Sequence, residues 1–243
     1  MKYFLTTSFF LRAFVSSLRK ASLLLFLCIA LSCTQKQNIK ITQQNVVEVL
    51  TQYGKENPET EVIIETKMGT MRLKLYEDTP LHRANFVKLI KEGHYDEADF
   101  YRIVAEFMIQ GGDLSNMPTY TIPAEFSPNH FHKKGALSMA RQDENNPGME
   151  SSAAEFFIIH GGPYRPEDVD DEARQLGITV TPEQKEAYVK QGGYMALDQK
   201  YTVFGEVTEG FDVIDKIASQ PIYEVDKPMT KIPFKISVVE AKK

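Results

Sequence analysis

A mainly β domain built around a closed sheet is the fold class this chain predicts. From Glu61 onward, short runs alternate apolar and polar residues, the period of strands with one buried face. Only two core helices accompany them, one starting near Thr79 and one near Gly210. Many short strands with few helices favour a sheet that closes on itself. The 243 residues suffice for one domain with a sizeable core and appendages.

The domain opens with a hairpin. Glu61–Thr66 and Met71–Tyr76 flank a turn in which Gly69 suits a positive φ. Met71, Leu73 and Leu75 alternate with Arg72 and Lys74, so one face is buried and one is wet. Thr79 is the expected cap of the next helix, with Pro80 at its first position, Phe86, Leu89 and Ile90 on its core face and Gly93 as its stop. The second helix runs near Gly210 to Ala218, with Val213, Ile214 and Ile217 spaced for a core face. A last strand alternates at Ile232, Phe234, Ile236 and Val238, and Pro233 places its first part unpaired or at an edge. Residues 161–195 read as a folded insertion. One helix spans Glu167 to Leu176 and ends at Gly177; a second, Pro182 to Lys190, opens with a capping box at Thr181-Pro-Glu-Gln184.

Residues 1–33 read as an export signal. Lys2, Arg12, Arg19 and Lys20 precede the apolar run Ala21–Ser32, which is too short to cross a bilayer comfortably. Ala30-Leu-Ser-Cys33 at its end resembles a bacterial lipobox, which makes Cys33 the expected lipidation site, membrane-anchoring the protein in a bacterial cell envelope and facing it to the periplasm. Cys28 follows the bulky Leu27 and is the poorer candidate; Cys28 and Cys33 are the two cysteines, so the domain beyond them has no disulfide. Residues 34–60 are a spacer with a short helix that Asn45 caps and Gly54 ends, and 61–243 form the domain. A net charge of -5 with no basic patch argues against a nucleic-acid partner.

The chemistry concentrates in Phe100-Tyr-Arg-Ile-Val-Ala-Glu-Phe-Met-Ile-Gln-Gly-Gly-Asp113. Arg102 beside Phe107, Met108 and Gln110 fits an apolar cleft with one strong donor, suited to an uncharged, carbonyl-bearing ligand such as a peptide. It fits equally an edge arginine that reaches water, and spacing alone leaves both open. His130-Phe-His132 has no ligand of fixed spacing nearby and reads as a surface loop, with no metal site.

That run resembles the signature of the cyclophilin-type peptidyl-prolyl cis-trans isomerases, F-x-R-I-x-x-x-F-M-I-Q-G-G-D. Gly135-Ala-Leu-Ser-Met-Ala-Arg141, Ser151-Ser-Ala-Ala-Glu-Phe-Phe-Ile158 and Leu197-Asp-Gln-Lys-Tyr-Thr-Val-Phe-Gly205 resemble the family's later blocks, in order. The resemblance covers roughly residues 61 to 240. It implies an eight-stranded closed antiparallel barrel capped by two helices. It also implies isomerisation of Xaa-Pro bonds in proline-containing polypeptides, here exported ones, with no cofactor. Arg102 would be the catalytic cation. Phe107, Met108, Phe157 and Leu197 would form the proline pocket, Gln110, Ala140 and Arg141 would face the peptide, and Tyr201 would close the pocket. The flanks of the insertion line that pocket in the family, so the insertion stands beside the groove. Phe156 alternates to the opposite face. Three positions depart from the family pattern: Arg141 stands where eukaryotic members have Asn, Ala196 where a pocket-edge Trp is usual, and Glu155 where Gln is usual. An ionised Glu155 accepts but does not donate, and is expected to pair with Arg102 or Arg141. The other reading is a proline-peptide-binding module without catalysis on the same scaffold.

Overall fold

Alternation along the strands decides how the sheet is laid out. The structure, a computed structural model, describes residues 40–240. The signal segment expected over 1–33, with Cys33, lies outside the described residues. Strands β1 (Glu61–Thr66) and β2 (Gly69–Leu75) form the expected hairpin, and Val62, Ile64, Met71, Leu73 and Leu75 all point inward. Further strands are β3 (Phe100–Val104), β4 (Met108–Gly111), β6 (Ala136–Met139), β8 (Phe156–Ile159), β9 (Val203–Glu209) and β10 (Lys235–Val238). They join in one antiparallel sheet, in the order β10-β1-β2-β9-β6-β8-β4-β3. A small separate ladder pairs β5 (Thr121–Ile122) with β7 (Ser151–Ser152).

The sheet is curled and open, not the closed barrel expected. Its ends, β3 and β10, approach each other, but only one bridge spans them, Asp99 opposite Pro233. Phe100 N donates to Ile232 O at 3.0 Å and Phe234 N to Ala98 O at 3.3 Å. These two bonds flank the Asp99–Pro233 pair, a position that asks no N–H of residue 233 toward β3, so the proline fits there, and the pairing extends no further.

Five α-helices stand among the described residues, the two expected to cap the sheet, one in the spacer and two in the insertion: α1 (Val46–Glu56), α2 (Pro80–Lys91), α3 (Pro166–Leu176), α4 (Pro182–Gln191) and α5 (Phe211–Ala218). Helix α2 is buried on nearly every side because α1 covers its outer face. Gly54 makes that approach possible. A Cβ there would lie 3.1 Å from the Ala84 Cβ, so Gly54 is an interior contact and the helix runs on to Glu56. Nor does the Thr79 side chain cap α2. The Glu125 carboxylate does, accepting from Leu81 N and His82 N at 3.0 Å each, from 44 and 43 residues away. A carboxylate at this end satisfies two orphan N–H groups and complements the helix dipole.

The sheet has two apolar faces. The inner one packs Phe86, Tyr95, Phe100, Phe156, Phe204 and Phe234 with the aliphatic side chains of β1 and β2. Phe156 meets Phe86 edge-on at 5.4 Å, consistent with its alternation away from Phe157. The outer face carries a smaller cluster, Met108, Ala136, Phe157, Ile159 and Val203. The insertion has a core of its own, Val169, Ala173, Tyr188 and Met195. Its second helix opens with the expected capping box: Gln184 N donates to Thr181 Oγ1 at 3.2 Å, and Thr181 N to Gln184 Oε1 at 2.9 Å.

His132 is not on a surface loop. It is fully buried, its Nδ1 is 2.8 Å from Asp198 Oδ1, and its backbone N donates to the same oxygen at 2.8 Å. His130 stacks on Tyr76 at 3.9 Å, with Nε2 2.7 Å from Asp78.

Candidate active site

Register lines up the outer face. Arg102 on β3 lies opposite Gln110 on β4, and Gln110 opposite Phe157 on β8. The next row on the same face is Val104, Met108 and Ile159. A bulge at the head of β3 sets which residues reach this face: Phe100 pairs Gly111 and Arg102 pairs Gln110, so Tyr101 is the extra residue. Phe100 and Ile103 therefore both enter the core, while Tyr101 and Arg102 both face outward. At the far end of β4, Gly112 has φ +89, and a Cβ there would meet Ala154 O at 2.2 Å, so the chain passes closely against the segment that leads into β8.

Beside this row is a cleft of about 200 Å³ lined by Arg102, Phe107, Met108, Gln110, Ala140, Arg141, Phe157, Leu197 and Tyr201. The structure thus brings together nine of the ten side chains singled out from the sequence. Phe107 leaves the β3–β4 turn at the cleft rim and packs on Tyr194 at 4.3 Å. Leu197 ends a single 3-10 turn, Met195–Leu197, and Tyr201 N donates back to Leu197 O at 3.1 Å. The Tyr201 ring stands edge-on to Phe157 at 5.9 Å.

Glu155 is the exception. It lines a separate groove of about 610 Å³ with Asp113, Tyr120 and Glu150, and pairs with neither arginine. Its Oε1 accepts from Tyr101 Oη at 2.7 Å. Gln110 Nε2 donates to the same Tyr101 oxygen, and Gln110 Oε1 faces Arg102 Nη1 at 3.4 Å. Burial, then the hydrogen bond to Glu155 and its charge, push the Tyr101 phenol well above its ordinary pKa. The phenol thus stays a donor to Glu155 and fixes which end of the Gln110 amide meets Arg102.

The arginines have other partners. Arg102 Nε and Nη2 both donate to Asp226 Oδ2, at 3.3 and 3.2 Å. Arg141 Nε donates to Asp143 Oδ1 at 2.7 Å, Nη1 bonds Lys200 O, and the guanidinium lies over the Tyr201 ring at 4.2 Å. Tyr201 Oη meets Asp143 Oδ2 at 3.4 Å, not Arg102. Burial and then the Asp143 charge raise its phenol pKa.

Comparison with known proteins agrees with this geometry. The family model for "Cyclophilin type peptidyl-prolyl cis-trans isomerase/CLD" matches residues 61–240. The chain belongs to this family. A Staphylococcus saprophyticus relative named as a peptidyl-prolyl cis-trans isomerase is 36% identical over 192 residues, covering 75% of this chain and 93% of that protein. A Staphylococcus aureus relative of the same name is 34% identical over 195 residues, covering 75% and 92%. A crystal structure of a Cryptosporidium parvum cyclophilin superposes with TM-score 0.56 at 21% identity, covering 76% of this chain and 99% of that one. A second crystal structure of that protein, in the presence of the dipeptide Ala-Pro, superposes with TM-score 0.55. This chain is a cyclophilin-type peptidyl-prolyl cis-trans isomerase.

Four side chains of this cyclophilin's site escaped the sequence reading: Tyr101, Asp143, Tyr194 and Asp226. Tyr194 and Asp143 border motifs, and a tyrosine just before the Leu197 block is the kind of signal that points to a pocket wall. Asp226 lies 124 residues from Arg102, with no local pattern to connect them. It holds one edge of the guanidinium and leaves Nη1 toward Gln110 and the cleft. Asp226→Ala is expected to lower kcat about fivefold to tenfold with KM within about twofold, because it frees the fork without emptying the pocket. The pair is partly solvated, at 40% and 36% side-chain exposure, which keeps the effect this small. Steady-state kinetics on an Xaa-Pro peptide measures it; an unchanged kcat would mean that Asp226 does not aim Arg102.

Proposed function

We propose that this cyclophilin isomerises Xaa-Pro bonds of exported polypeptides and so assists their folding in a bacterial cell envelope. The convergence of Arg102, Gln110 and the apolar side chains on one cleft carries the catalytic part of this reading. The reaction breaks no covalent bond. Its barrier, about 18–20 kcal/mol for a typical amide, is lost conjugation in a twisted peptide bond. A catalyst must bind the twisted form better than either planar form.

Each side chain then has a role. Phe107, Met108, Phe157 and Leu197 hold the proline ring, and Tyr201 closes the pocket over it. One Gln110 N–H is taken by Tyr101, and the other is free to orient the peptide backbone. Ala140 and Arg141 border the path of the peptide. Arg102 presents a permanently cationic donor to the localised nitrogen lone pair or the carbonyl oxygen of the twisted bond. Arg102→Ala is expected to cut kcat/KM by roughly one to three orders of magnitude, about 1.4–4 kcal/mol. A protease-coupled assay on an Xaa-Pro tetrapeptide measures this. An unchanged rate would remove Arg102 from the mechanism, and a wild type no faster than the uncatalysed reaction would leave only peptide binding.

The membrane part rests on the N-terminal sequence. Lipidation at Cys33 supplies the anchor, and the polar run Thr34-Gln-Lys-Gln-Asn38 follows it in the sequence. No helix among the described residues is long and apolar enough to span a bilayer. One acyl chain binds membranes only marginally, so stable attachment requires the multiply acylated bacterial form. Cys33→Ser is expected to abolish fatty-acid labelling and release the protein from the membrane fraction. Labelling that survives the substitution would place the modification elsewhere.

A further inference from the structure

Seven large apolar side chains stand exposed among the described residues, and four of them, Ile222, Tyr223, Val225 and Met229, belong to one turn. Tyr223, Val225 and Met229 are 53%, 76% and 54% exposed. Surface turns ordinarily carry Gly, Asn, Asp or Ser, and apolar side chains gathered on one exposed element mark a contact surface. This turn is also firmly built. Tyr223 N donates to Lys227 O at 2.8 Å, Asp226 N to Tyr223 O at 3.1 Å, and Met229 N to Pro221 O at 2.9 Å. Ile103 N donates to Asp226 O at 2.8 Å, which fastens the tip to β3, and Asp226 is held at φ 60. The backbone is satisfied and the apolar side chains are left outward.

The position of the turn identifies what it would hold. Asp226 at its tip touches Arg102, which lines the proline cleft. Val225 and Lys227 are each one Cα step, about 3.8 Å, from Asp226. A polypeptide seated by its proline and leaving the cleft extended advances about 3.3 Å per residue, so a few flanking residues suffice to reach the turn. We propose that the turn 221–229 is a docking rim for the unfolded polypeptide, taking apolar side chains that flank the Xaa-Pro bond. This rests on the isomerase reading above and adds a second contact, outside the cleft, that a short peptide does not reach. A lipid surface fits less well. Glu224 and Asp226 outnumber the single cation of the turn, Lys227, whereas binding to anionic lipid needs clustered Lys or Arg.

The test compares the wild type with Tyr223→Ser/Val225→Ser/Met229→Ser in a chain beginning at residue 34, which keeps the whole unit Ile41–Lys243. Three activities are measured: isomerisation of an Xaa-Pro tetrapeptide, acceleration of the proline-limited refolding of an unfolded protein, and flotation with phosphatidylethanolamine–phosphatidylglycerol vesicles. The expected result is a loss of about tenfold in refolding catalysis, equivalent to about 1.4 kcal/mol of binding, with the tetrapeptide rate within about twofold of wild type. Val225→Ser alone is expected to give part of the loss and guards against a folding defect in the triple variant. Unchanged refolding catalysis overturns the proposal. So does an equal loss on both substrates, which would make the turn a support of the cleft, or a loss confined to vesicle binding, which would make it a membrane contact. A wild type that accelerates neither substrate removes the isomerase reading itself, and the proposal with it.

Discussion

The guanidinium of Arg102 is held from two sides, and the arrangement of the site follows from that. Asp226 takes Nε and Nη2, and the Gln110 amide oxygen faces Nη1. Neither contact buries the charge, because the arginine side chain stays 40% exposed. A fully buried pair would cost several kcal/mol of desolvation per ion and would blunt the field it presents to a ligand. A free surface arginine would spend its time in many rotamers. The observed compromise is a cation anchored on one edge and open on the other. It depends on the bulge that turns Tyr101 and Arg102 outward together, since Tyr101 is the link from Glu155 to Gln110. Glu155 therefore reaches the cleft only through two intervening side chains, and the loss of the family's usual Gln at this position leaves the cleft lining intact.

The insertion is tied to the opposite wall by a buried polar network. Asp198 accepts from His132 N and Nδ1, at 2.8 Å each, and from Tyr188 Oη at 2.6 Å. Burial and then the charge of Asp198 push the Tyr188 phenol far up, so it remains a donor. Asp198 directly follows Leu197, and the His132 ring lies nearly parallel to Phe157, 6.2 Å away. One network thus braces both a wall and the floor of the cleft. Leaving a buried acceptor short of a donor costs about 1–3 kcal/mol, more for a charged one, so the helices of the insertion and the cleft wall are energetically coupled. The contact of Tyr194 with Phe107 extends the same support to the rim, beside the position where Ala196 replaces a large aromatic residue.

How much of this was legible in the sequence depended on whether the deciding interaction was local. The hairpin, the helix ending at Ala218 and the capping box at Thr181 rest on neighbours in the chain, and they form as read. The cleft side chains were legible because short motifs carry them on strands of fixed period. Closure of the sheet was not, because it turns on whether two distant segments exchange hydrogen bonds, and β3 and β10 meet in a single bridge, Asp99 opposite Pro233. The cap of α2 was misassigned for the same reason: a distant carboxylate, Glu125, outcompetes the local Thr79 hydroxyl. The expected Glu155–arginine pair failed because Glu155 meets Tyr101, which the bulge turns outward, while the carboxylates of Asp226 and Asp143 take the two arginines. His132 looked like a loop residue because its partners, Asp198 and Tyr188, belong to distant parts of the chain, one of them in the insertion.

What unites these features is a cleft whose apolar walls are braced from behind and whose Arg102 guanidinium is aimed along its rim. A crystal structure of the protein with a bound Xaa-Pro peptide tests that most directly. The account predicts the proline ring among Phe107, Met108, Phe157 and Leu197, with an Arg102 nitrogen within hydrogen-bond reach of the prolyl amide and Asp226 still on the other edge of the guanidinium. A proline seated elsewhere, or an Arg102 turned away from the peptide in the complex, would contradict it.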